Sequence, residues 1–394
     1  VQPSAVQSAH RIQTVRSVDK MSKDLEEGVH VESEDISVGF RDLSVYSLTD
    51  SKYILRDVCG YAVKGGVTAI LGPSAAGKSV LLQALSGRIQ DLSITGDVYM
   101  NGRSIDPKDI HNPVAYVPQT DSVLGELTAR EVATYTAMFK RNEPKEVIDK
   151  DVADLLEKLG IDHVADGIIG TLIFRGLSGG QKKRAEIACE LIASPSILLL
   201  DEPTSGLDSS VAFEVLSCIR DLVKSSNGKF SVVLSIHQPN SRMLGLFDHI
   251  MLMENGGGVF FGTLSESEKY FSRHGYPCPA SVTPTDYFLQ ITDKSFSGDK
   301  DTDFGCMFNI SPEGAELRNT LERHKKLCES GTHVVDVPKN TVPFLKQLYL
   351  LIYREYTLAY RDPTLYHFQV TMLLCFGFLI GAVFWNLPRQ VNGN

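Results

Sequence analysis

The segment that most constrains the fold of this chain is residues 72–79, GPSAAGKS, which match the phosphate-binding pattern G-x-x-x-x-G-K-[ST] in full. An apolar run with the character of a buried strand, residues 67–71, precedes it, and a helical pattern follows at residues 80–87. A strand that enters a helix through such a loop is typical of α/β folds with a parallel sheet. Because strand, loop, lysine and helix are in register, a chance glycine-rich turn is a poor explanation.

Every residue of this loop is expected to take part in nucleotide binding. The backbone N–H groups would surround the phosphates, Lys78 would reach the β- and γ-phosphates, and Ser79 would ligate Mg²⁺. The predicted binding residues of the loop are Gly72, Pro73, Ser74, Ala75, Ala76, Gly77, Lys78 and Ser79.

A second segment, residues 177–184, has the pattern of another helix start that suits an anion. Ser178 is a favourable N-cap residue, Gly179 and Gly180 permit close backbone approach, and Gln181 begins a run of good helix formers. Exposed N–H groups and the helix dipole would favour a phosphate there. Two phosphate sites in one chain raise the question of which phosphate each one holds.

An acidic pair follows a second apolar run. Residues 197–200, ILLL, have the character of a buried parallel strand, and Asp201 and Glu202 come directly after it. Ligands of open α/β sheets bind at the carboxyl ends of the strands. An acidic pair in this position is a weak signal alone, but beside Lys78 it predicts a metal site. We expect Asp201 to hold Mg²⁺ through water and Glu202 to orient or deprotonate the attacking water.

Together with further positions, these motifs resemble the ABC ATPase family. Gln119 matches the Mg²⁺-sensing glutamine, Asp208 in the sequence SGLD matches the D-loop, and His237 matches the switch histidine. Tyr46 matches the aromatic residue that stacks on adenine; Tyr53 is the alternative, and an ordinary place in a β-sheet is equally open for both.

The resemblance implies that ATP and Mg²⁺ are the cofactors. It assigns the metal to Ser79, Gln119 and Asp201, and catalysis to Glu202, His237 and Lys78. In that family, the signature of one subunit holds the γ-phosphate bound to the loop of the other. The signature residues here are Ser178, Gly179, Gly180 and Gln181. The two phosphate sites would therefore serve two nucleotides shared across a dimer.

Longer stretches are similar to the G subfamily, the half-size "white"-type transporters in which the ATPase domain comes first. They are LTARE at 127–131, SIHQP at 235–239, LFD at 246–248, VFFG at 259–262, YF at 270–271, GYPCP at 275–279, PTDYF at 284–288 and YRDP at 360–363. The chain departs from the family at Ala75, where glycine is usual, and at Leu177, where many G members have a β-branched residue. Alanine at positive φ costs about 1 kcal/mol, which bears on nucleotide affinity or turnover.

Composition agrees with this resemblance. The chain has 394 residues and a net charge of −9, which argues against a nucleic-acid partner. The basic run at residues 182–184 is better explained as the solvated face of the signature helix than as a nuclear signal. The seven cysteines form no C-x-x-C pair, so that neither a zinc site nor a disulfide framework is indicated, as expected for the cytosol.

The chain divides into five predicted segments. Residues 1–35 are polar and read as a disordered tail, and the first residue, Val1, suggests a fragment. The ATPase domain would occupy residues 36–292, a linker or extension 293–342, and an amphipathic connecting helix 343–362. Residues 366–387 would form a first transmembrane helix, since residues 368–385 carry no charge. A buried core helix is the alternative for that last segment.

The predicted fold is thus an α/β P-loop NTPase of the ABC ATPase type, with an antiparallel β subdomain, a helical signature subdomain and a membrane helix. The resemblance implies an ATPase subunit that dimerises with an identical or related half-transporter and exports lipophilic substrates. It also implies contact with membrane lipid and a place in a membrane, predicted as the plasma membrane, with the ATPase domain in the cytosol. Two alternatives remain open: a regulatory or truncated partner that does not itself transport, and a soluble ABC ATPase.

Overall fold

The computed structural model describes residues 35–89, 92–100, 102–105, 114–120, 122–171, 175–279, 282–292, 302–330, 342–361 and 363–385, and the side chains of residues 363–367 are not described. The predicted disordered tail, except its last residue, lies outside this range. The chain forms two compact units, one within residues 1–121 and 194–337 and the other within residues 122–193 and 338–394.

The first unit contains both strands and helices. Its described strands are β1 (Ile36–Ser47), β2 (Lys52–Val63), β3 (Val67–Leu71), β4 (Leu92–Met100), β5 (Arg103–Ile105), β6 (Val114–Val117), β7 (Ile197–Leu200), β8 (Ser231–Ile236), β9 (His249–Glu254) and β10 (Gly257–Gly262). The described helices of the chain are α1 (Lys78–Ser86), α2 (Ala129–Lys140), α3 (Lys145–Lys158), α4 (Gly179–Leu191), α5 (Ser209–Ser225), α6 (Ser241–Leu244), α7 (Leu264–Arg273), α8 (Pro284–Thr292), α9 (Phe304–Ile310), α10 (Pro312–Ser330), α11 (Phe344–Arg361) and α12 (Pro363–Phe384).

A six-stranded sheet positions the predicted site. Its order is β10-β9-β3-β8-β7-β6; all neighbouring pairs are parallel except β9 with β10. Strands β3, β7, β8 and β9 are buried at every residue, which explains why their sequences are mostly apolar rather than alternating. The carboxyl ends of β3, β8, β7 and β6 therefore meet at one edge of the sheet, where the residues that follow each strand form the site.

A second, antiparallel sheet has the order β2-β1-β4-β5, as the alternating sequence after residue 36 predicts. The turn between β9 and β10 belongs to the first sheet and is formed by Asn255 and Gly256, with φ of 47° and 79°. Two consecutive residues at positive φ suit a two-residue hairpin, because that backbone matches the right-handed twist of the strands.

Residues 293–342, interpreted from sequence as a linker or extension, contain two helices in their described part. Helix α9 buries Phe304 and Phe308, and α10 buries Leu317 and Leu321. Phe260 packs on Phe308 of α9 and Phe271 packs on Phe304. Phe271 also stacks on Phe288 at 4.3 Å between ring centroids. Several stretches that resemble the G subfamily thus supply core packing rather than site residues.

The second unit is helical. Helices α2, α3 and α4 pack together on residues such as Ala133, Ile148 and Ala185. Helix α11 packs on α2, where Arg361 forms a bidentate ion pair with Glu131 at 2.6 and 2.8 Å. Within the part of the chain that the structure describes, no helix has both the length and the hydropathy needed to cross a membrane.

Candidate nucleotide-binding site

The loop between β3 and α1 has a conformation that suits small residues. Gly77, the N-cap of α1, has φ of 97°, and a Cβ there would lie 2.5 Å from the Leu55 side chain. A Cβ on Gly72 would lie 2.4 Å from the carbonyl oxygen of Met253. Ala75 has φ of 64°, the left-handed region expected for it from the sequence. The loop therefore holds a tight curve that leaves the start of α1 without a side-chain cap.

Lys78 closes this curve. Its buried ammonium donates hydrogen bonds to the carbonyl oxygens of Gly72 at 2.8 Å and Pro73 at 2.9 Å. Burial lowers the pKa of Lys78 from its ordinary value, while the carboxylates of Glu202 and Asp201 oppose that shift. The ammonium is thus held inside the loop where phosphates of a nucleotide would be bound.

Gly256 ties the loop to β2. Its N–H donates to the carbonyl oxygen of Ala76 at 3.1 Å, and its own carbonyl accepts the N–H of Arg56 at 2.8 Å. A Cβ at this position would lie 2.0 Å from the carbonyl oxygen of Ile54. Only glycine allows this close backbone approach, so the hairpin turn supports the loop as well as joining two strands.

Asp201 accepts hydrogen bonds from three hydroxyl groups. Ser79 and Ser235 donate to its Oδ1 at 2.9 and 2.7 Å, and Tyr116 donates to its Oδ2 at 3.3 Å. Burial and the charge of Asp201 raise the pKa of Tyr116 to about 12, so that the phenol stays protonated and able to donate. The carboxylate is thereby fixed beside the start of α1.

Glu202 has a left-handed backbone, with φ of 46°. The amide of Gln119 donates to its Oε2 at 2.7 Å, and Nε2 of His237 lies 3.5 Å from its Oε1. The same His237 nitrogen lies 3.1 Å from Oγ of Ser74 in the loop. These contacts link the residues that follow β3, β6, β7 and β8 around one carboxylate.

The two candidate adenine-stacking residues lie on neighbouring strands. Tyr46 of β1 is half-buried and pairs with Tyr53 of β2, their ring centroids 5.1 Å apart. Tyr53 is more exposed, at 52%, and the guanidinium of Arg56 lies over its ring at 5.6 Å. Because either ring offers a face for stacking, the structure leaves both candidates in place.

The signature segment begins α4 in the second unit. The Ser178 hydroxyl accepts the N–H of Gln181 at 3.4 Å, and the Gln181 side chain accepts the N–H of Ser178 at 3.0 Å, a reciprocal capping box. Ser178 and Gly179 are exposed. Further along α4, Lys183 and Glu186 form a buried ion pair at 2.6 Å, so the basic run is not simply a solvated face.

Asp208 caps α5, since its Oδ1 accepts the N–H groups of Ser210 and Val211, both at 3.0 Å. The D-loop before it borders a cavity of about 290 Å³ that Glu202, Ser205, His237 and Asn240 also line. Asp208 therefore has a structural task at the edge of the site, besides the nucleotide contact expected from the family resemblance.

Within the first unit, the structure brings together the predicted loop, Gln119, Asp201, Glu202 and His237. Three residues that were not predicted as site residues join them: Ser235, Tyr116 and Gly256. Ser235 has a faint sequence signal in its place two residues before His237, and Tyr116 in its place three residues before Gln119. Gly256 begins a run of three glycines, which by itself indicates only a hairpin turn, and its contact with the loop is visible only in three dimensions.

Comparison with known proteins places the chain in a family. The family profile described as "ABC transporter" matches residues 55–205, and a second, described as "ABC-2 type transporter", matches residues 237–306. The chain is similar to ABC transporter G family member 11 of Arabidopsis thaliana, with 33% identity over 86% of this chain and 51% of that protein. It is also similar to the broad substrate specificity ATP-binding cassette transporter ABCG2 of Rattus norvegicus, with 32% identity over 88% of this chain and 56% of that protein.

Solved structures agree on the fold. The structure of cbiO1 from Clostridium perfringens, part of the ABC transporter complex cbiONQ, has a TM-score of 0.51 at 24% identity, over 61% of this chain and 98% of that one. The predicted ABC ATPase P-loop fold is thus confirmed. The chain spans about half the length of the curated relatives it matches. The loop, Gln119, Asp201, Glu202 and His237 meet at one sheet edge, and the chain belongs to the ABC transporters and is a member of their G family.

Proposed function

We propose that this chain is the ATP-binding and ATP-hydrolysing part of a G-type half-transporter that exports lipophilic substrates. The observation that carries the proposal is the continuous contact network from the phosphate-binding loop to the acidic pair. Ser79 bonds Asp201, and Glu202, which follows Asp201 in the chain, contacts both Gln119 and His237. An ATPase needs a phosphate cradle, a metal ligand and a water-activating base in contact, and these residues supply them.

The loop would bind the phosphates of ATP. Lys78 now donates to two loop carbonyls; on binding it would turn its ammonium to the β- and γ-phosphates. The first N–H groups of α1 and its helix dipole would add attraction for the anion. Tyr46, or Tyr53 beside it, would stack on adenine.

The residues present fit a magnesium ion. Mg²⁺ prefers oxygen ligands and keeps several waters, and Ser79 and Asp201 offer a hydroxyl and a carboxylate in contact with each other. The amide oxygen of Gln119, whose nitrogen donates to Glu202, would be the third ligand. The Ser79–Asp201 bond of 2.9 Å shows that two of these donors already lie within reach of a common ligand. When bound, the ion would neutralise charge that develops on the γ-phosphate.

Glu202 would act as general base. It would take a proton from water as the water oxygen bonds to the γ-phosphorus; the bond from that phosphorus to the β–γ bridging oxygen breaks, leaving ADP and phosphate. Gln119 and His237 hold the Glu202 carboxylate from opposite oxygens. His237, which also contacts Ser74 of the loop, would lie against the γ-phosphate.

A second subunit, identical or related, would complete each site. Ser178, Gly179 and Gly180 are suited to hold a γ-phosphate, and the capping hydroxyl of Ser178 keeps its proton free to donate. Gln181 would keep that start in shape, and Asp208 would lie beside the nucleotide from the D-loop. Each ATP would thus be shared between the loop of one subunit and the signature of its partner.

The C-terminal helices would connect ATP hydrolysis to the membrane. Helix α12 has 22 residues, about 33 Å of helix, and exposes apolar side chains such as Phe378 at 82%. With residues 363–367 included, whose side chains are not described, α12 has the length needed to span a membrane, and we propose it as the first transmembrane helix in contact with membrane lipid, with the plasma membrane as its location. Helix α11 would transmit motion, because the Arg361–Glu131 pair joins its end to α2.

A second candidate is a half-subunit with little hydrolysis of its own that regulates an active partner. The left-handed backbone of Ala75 favours it, since alanine in that conformation strains the loop. In that case the purified homodimer would bind ATP but hydrolyse it no faster than a variant that lacks the Glu202 carboxylate.

Glu202→Gln tests the main proposal. We expect ATP binding to stay within about twofold of wild type and phosphate release from the full-length protein to fall about 100-fold or more, since general bases contribute that much. The matched control is Glu214→Gln, the same chemical change at an exposed position of α5. Phosphate release by Glu202→Gln at the rate of Glu214→Gln would refute the assigned role.

A further inference from the structure

A buried serine of β8, Ser235, joins the two acidic residues that follow β7. Its Oγ accepts the backbone N–H of Glu202 at 2.8 Å and donates to Oδ1 of Asp201 at 2.7 Å, and the residue is 0% exposed. The directions are set by chemistry, because an N–H only donates and a carboxylate only accepts. One hydroxyl therefore donates a hydrogen bond to Asp201 and accepts one from Glu202, two adjacent residues of the site.

The bond to Glu202 acts on a strained backbone. A left-handed residue other than glycine costs about 1–2 kcal/mol and persists where its surroundings hold it. Two bonds hold the backbone on either side of Glu202: its N–H donates to Ser235, and its carbonyl accepts the N–H of Ser205 at 3.0 Å. This backbone aims the Glu202 carboxylate between Gln119 and His237.

The bond to Asp201 has a different value. Two hydroxyls donate to Oδ1 of Asp201. That of Ser79 would turn to Mg²⁺, whereas that of Ser235 is fully buried on β8. The hydrogen bond from Ser235 to Oδ1 would therefore stay in place when the metal binds. Buried carboxylates keep one orientation when such donors surround them.

We infer that Ser235 is a positioning residue for ATP hydrolysis: it fixes the backbone of Glu202 and the carboxylate of Asp201 relative to each other, so that base and metal ligand face the same γ-phosphate. The inference rests on the proposed function. Ser235 touches neither substrate nor metal and acts through its two neighbours.

The chain offers a close control on the same strand. Ser231 is likewise 0% exposed, and its hydroxyl has no hydrogen-bond partner among the described residues. Ser231→Ala and Ser235→Ala therefore each delete one buried hydroxyl on β8. Only Ser235→Ala breaks the hydrogen bonds to Asp201 and Glu202. A third variant, Ser235→Thr, retains the hydroxyl.

The test compares the three variants in the full-length protein. Without nucleotide, hydrogen exchange of a peptide containing Glu202 should speed up at least about tenfold in Ser235→Ala and stay at the wild-type rate in Ser231→Ala. With Mg²⁺ and ATP, kcat should fall about tenfold or more in Ser235→Ala, while the affinity for ATP measured without Mg²⁺ stays within about twofold. Ser235→Thr should recover most of kcat.

The outcomes separate this inference from the proposed function. Equal exchange and equal kcat in Ser235→Ala and Ser231→Ala would overturn the positioning role while wild-type hydrolysis still supported the ATPase. A fall of kcat in Ser235→Ala without faster exchange at Glu202 would also overturn it, because the hydroxyl would then not act by fixing that backbone. A third outcome is that the wild-type protein does not hydrolyse ATP while Ser235→Ala still shows faster exchange at Glu202. That result would contradict the proposed function and leave the positioning of Glu202 intact.

Discussion

Two helix starts in this molecule suit a phosphate, and they are built in opposite ways. Helix α1 begins at Gly77, which has no side chain to cap it, and the buried Lys78 folds onto loop carbonyls. Helix α4 begins at Ser178, where a capping box with Gln181 satisfies the first turn from within. The first start has no side-chain cap, whereas in the second the capping box satisfies the N–H groups of Ser178 and Gln181 and fixes the shape of the turn.

This difference indicates two different tasks. An uncapped start with an enclosed ammonium gains most from a ligand, so the loop is suited to bind ATP on its own. A self-capped start keeps its shape without ligand and presents an exposed hydroxyl and glycine backbone, which suits it to dock onto a phosphate that is already bound. The comparison predicts that changes at the two starts separate ATP binding from ATP hydrolysis.

The largest effect is expected from Ser178→Arg, which fills the exposed start of α4 with a long cation. Because this start is proposed to complete the site of a second subunit, phosphate release should fall about 100-fold or more. ATP binding to the separated monomer should stay within about twofold. Ser272→Arg, at an exposed position of α7, is the control and should match wild type in both measurements. Loss of ATP binding by the Ser178→Arg monomer would contradict the comparison.

A smaller effect is expected from Gly256→Ala, which strains the support of the loop at α1. The new Cβ would meet the Ile54 carbonyl, and alanine is unfavourable at φ of 79°. We expect a loss of about 2 kcal/mol of stability and about tenfold in ATP affinity, measured by thermal unfolding and nucleotide titration. Gly258→Ala in the same hairpin is the control, since its Cβ would have ordinary contact at 3.6 Å from Met251. Equal affinities in the two variants would show that the turn does not support the loop.

The smallest effect is expected from Ala75→Gly, which relieves a left-handed alanine in the loop. The gain should be about 1 kcal/mol, seen as a higher melting temperature and an ATP affinity up to about fivefold greater. Ala76→Gly is the control, because that residue is buried outside the positive-φ region and should lose stability. A lower affinity in Ala75→Gly would mean that alanine rigidifies a binding-competent loop rather than straining it.

Much of the candidate site can be predicted from the sequence because its residues come after the strands, either directly or beyond one short loop. Lys78 and Ser79 follow β3, Asp201 and Glu202 follow β7, and His237 follows β8. Once the strands are recognised as parallel neighbours, their ends must meet. Ser235 and Gly256 were not predicted as site residues, because a serine inside a strand and a glycine in a hairpin are ordinary residues until their contacts are known.

The fold shows the same division. The apolar runs at residues 67–71 and 197–200 predict buried parallel strands, and both are fully buried. The helices α9 and α10 in the predicted linker have no strong periodic signal, since much of α10 is polar and only one of its faces is buried. Which face of such a polar helix is buried depends on the element that it packs against, and the local sequence does not show that.

By itself, the sequence determined which chemistry this protein carries: a phosphate loop, an acidic pair after a buried strand, and a second helix start for an anion. Such motifs are local, because a phosphate cradle and a helix cap are built from consecutive residues. Tertiary structure alone decided how these parts support one another, through Ser235 between Asp201 and Glu202, Gly256 beneath the loop, and His237 between Ser74 and Glu202. Those contacts join residues far apart in the chain, and only the register of neighbouring strands brings them within hydrogen-bonding distance.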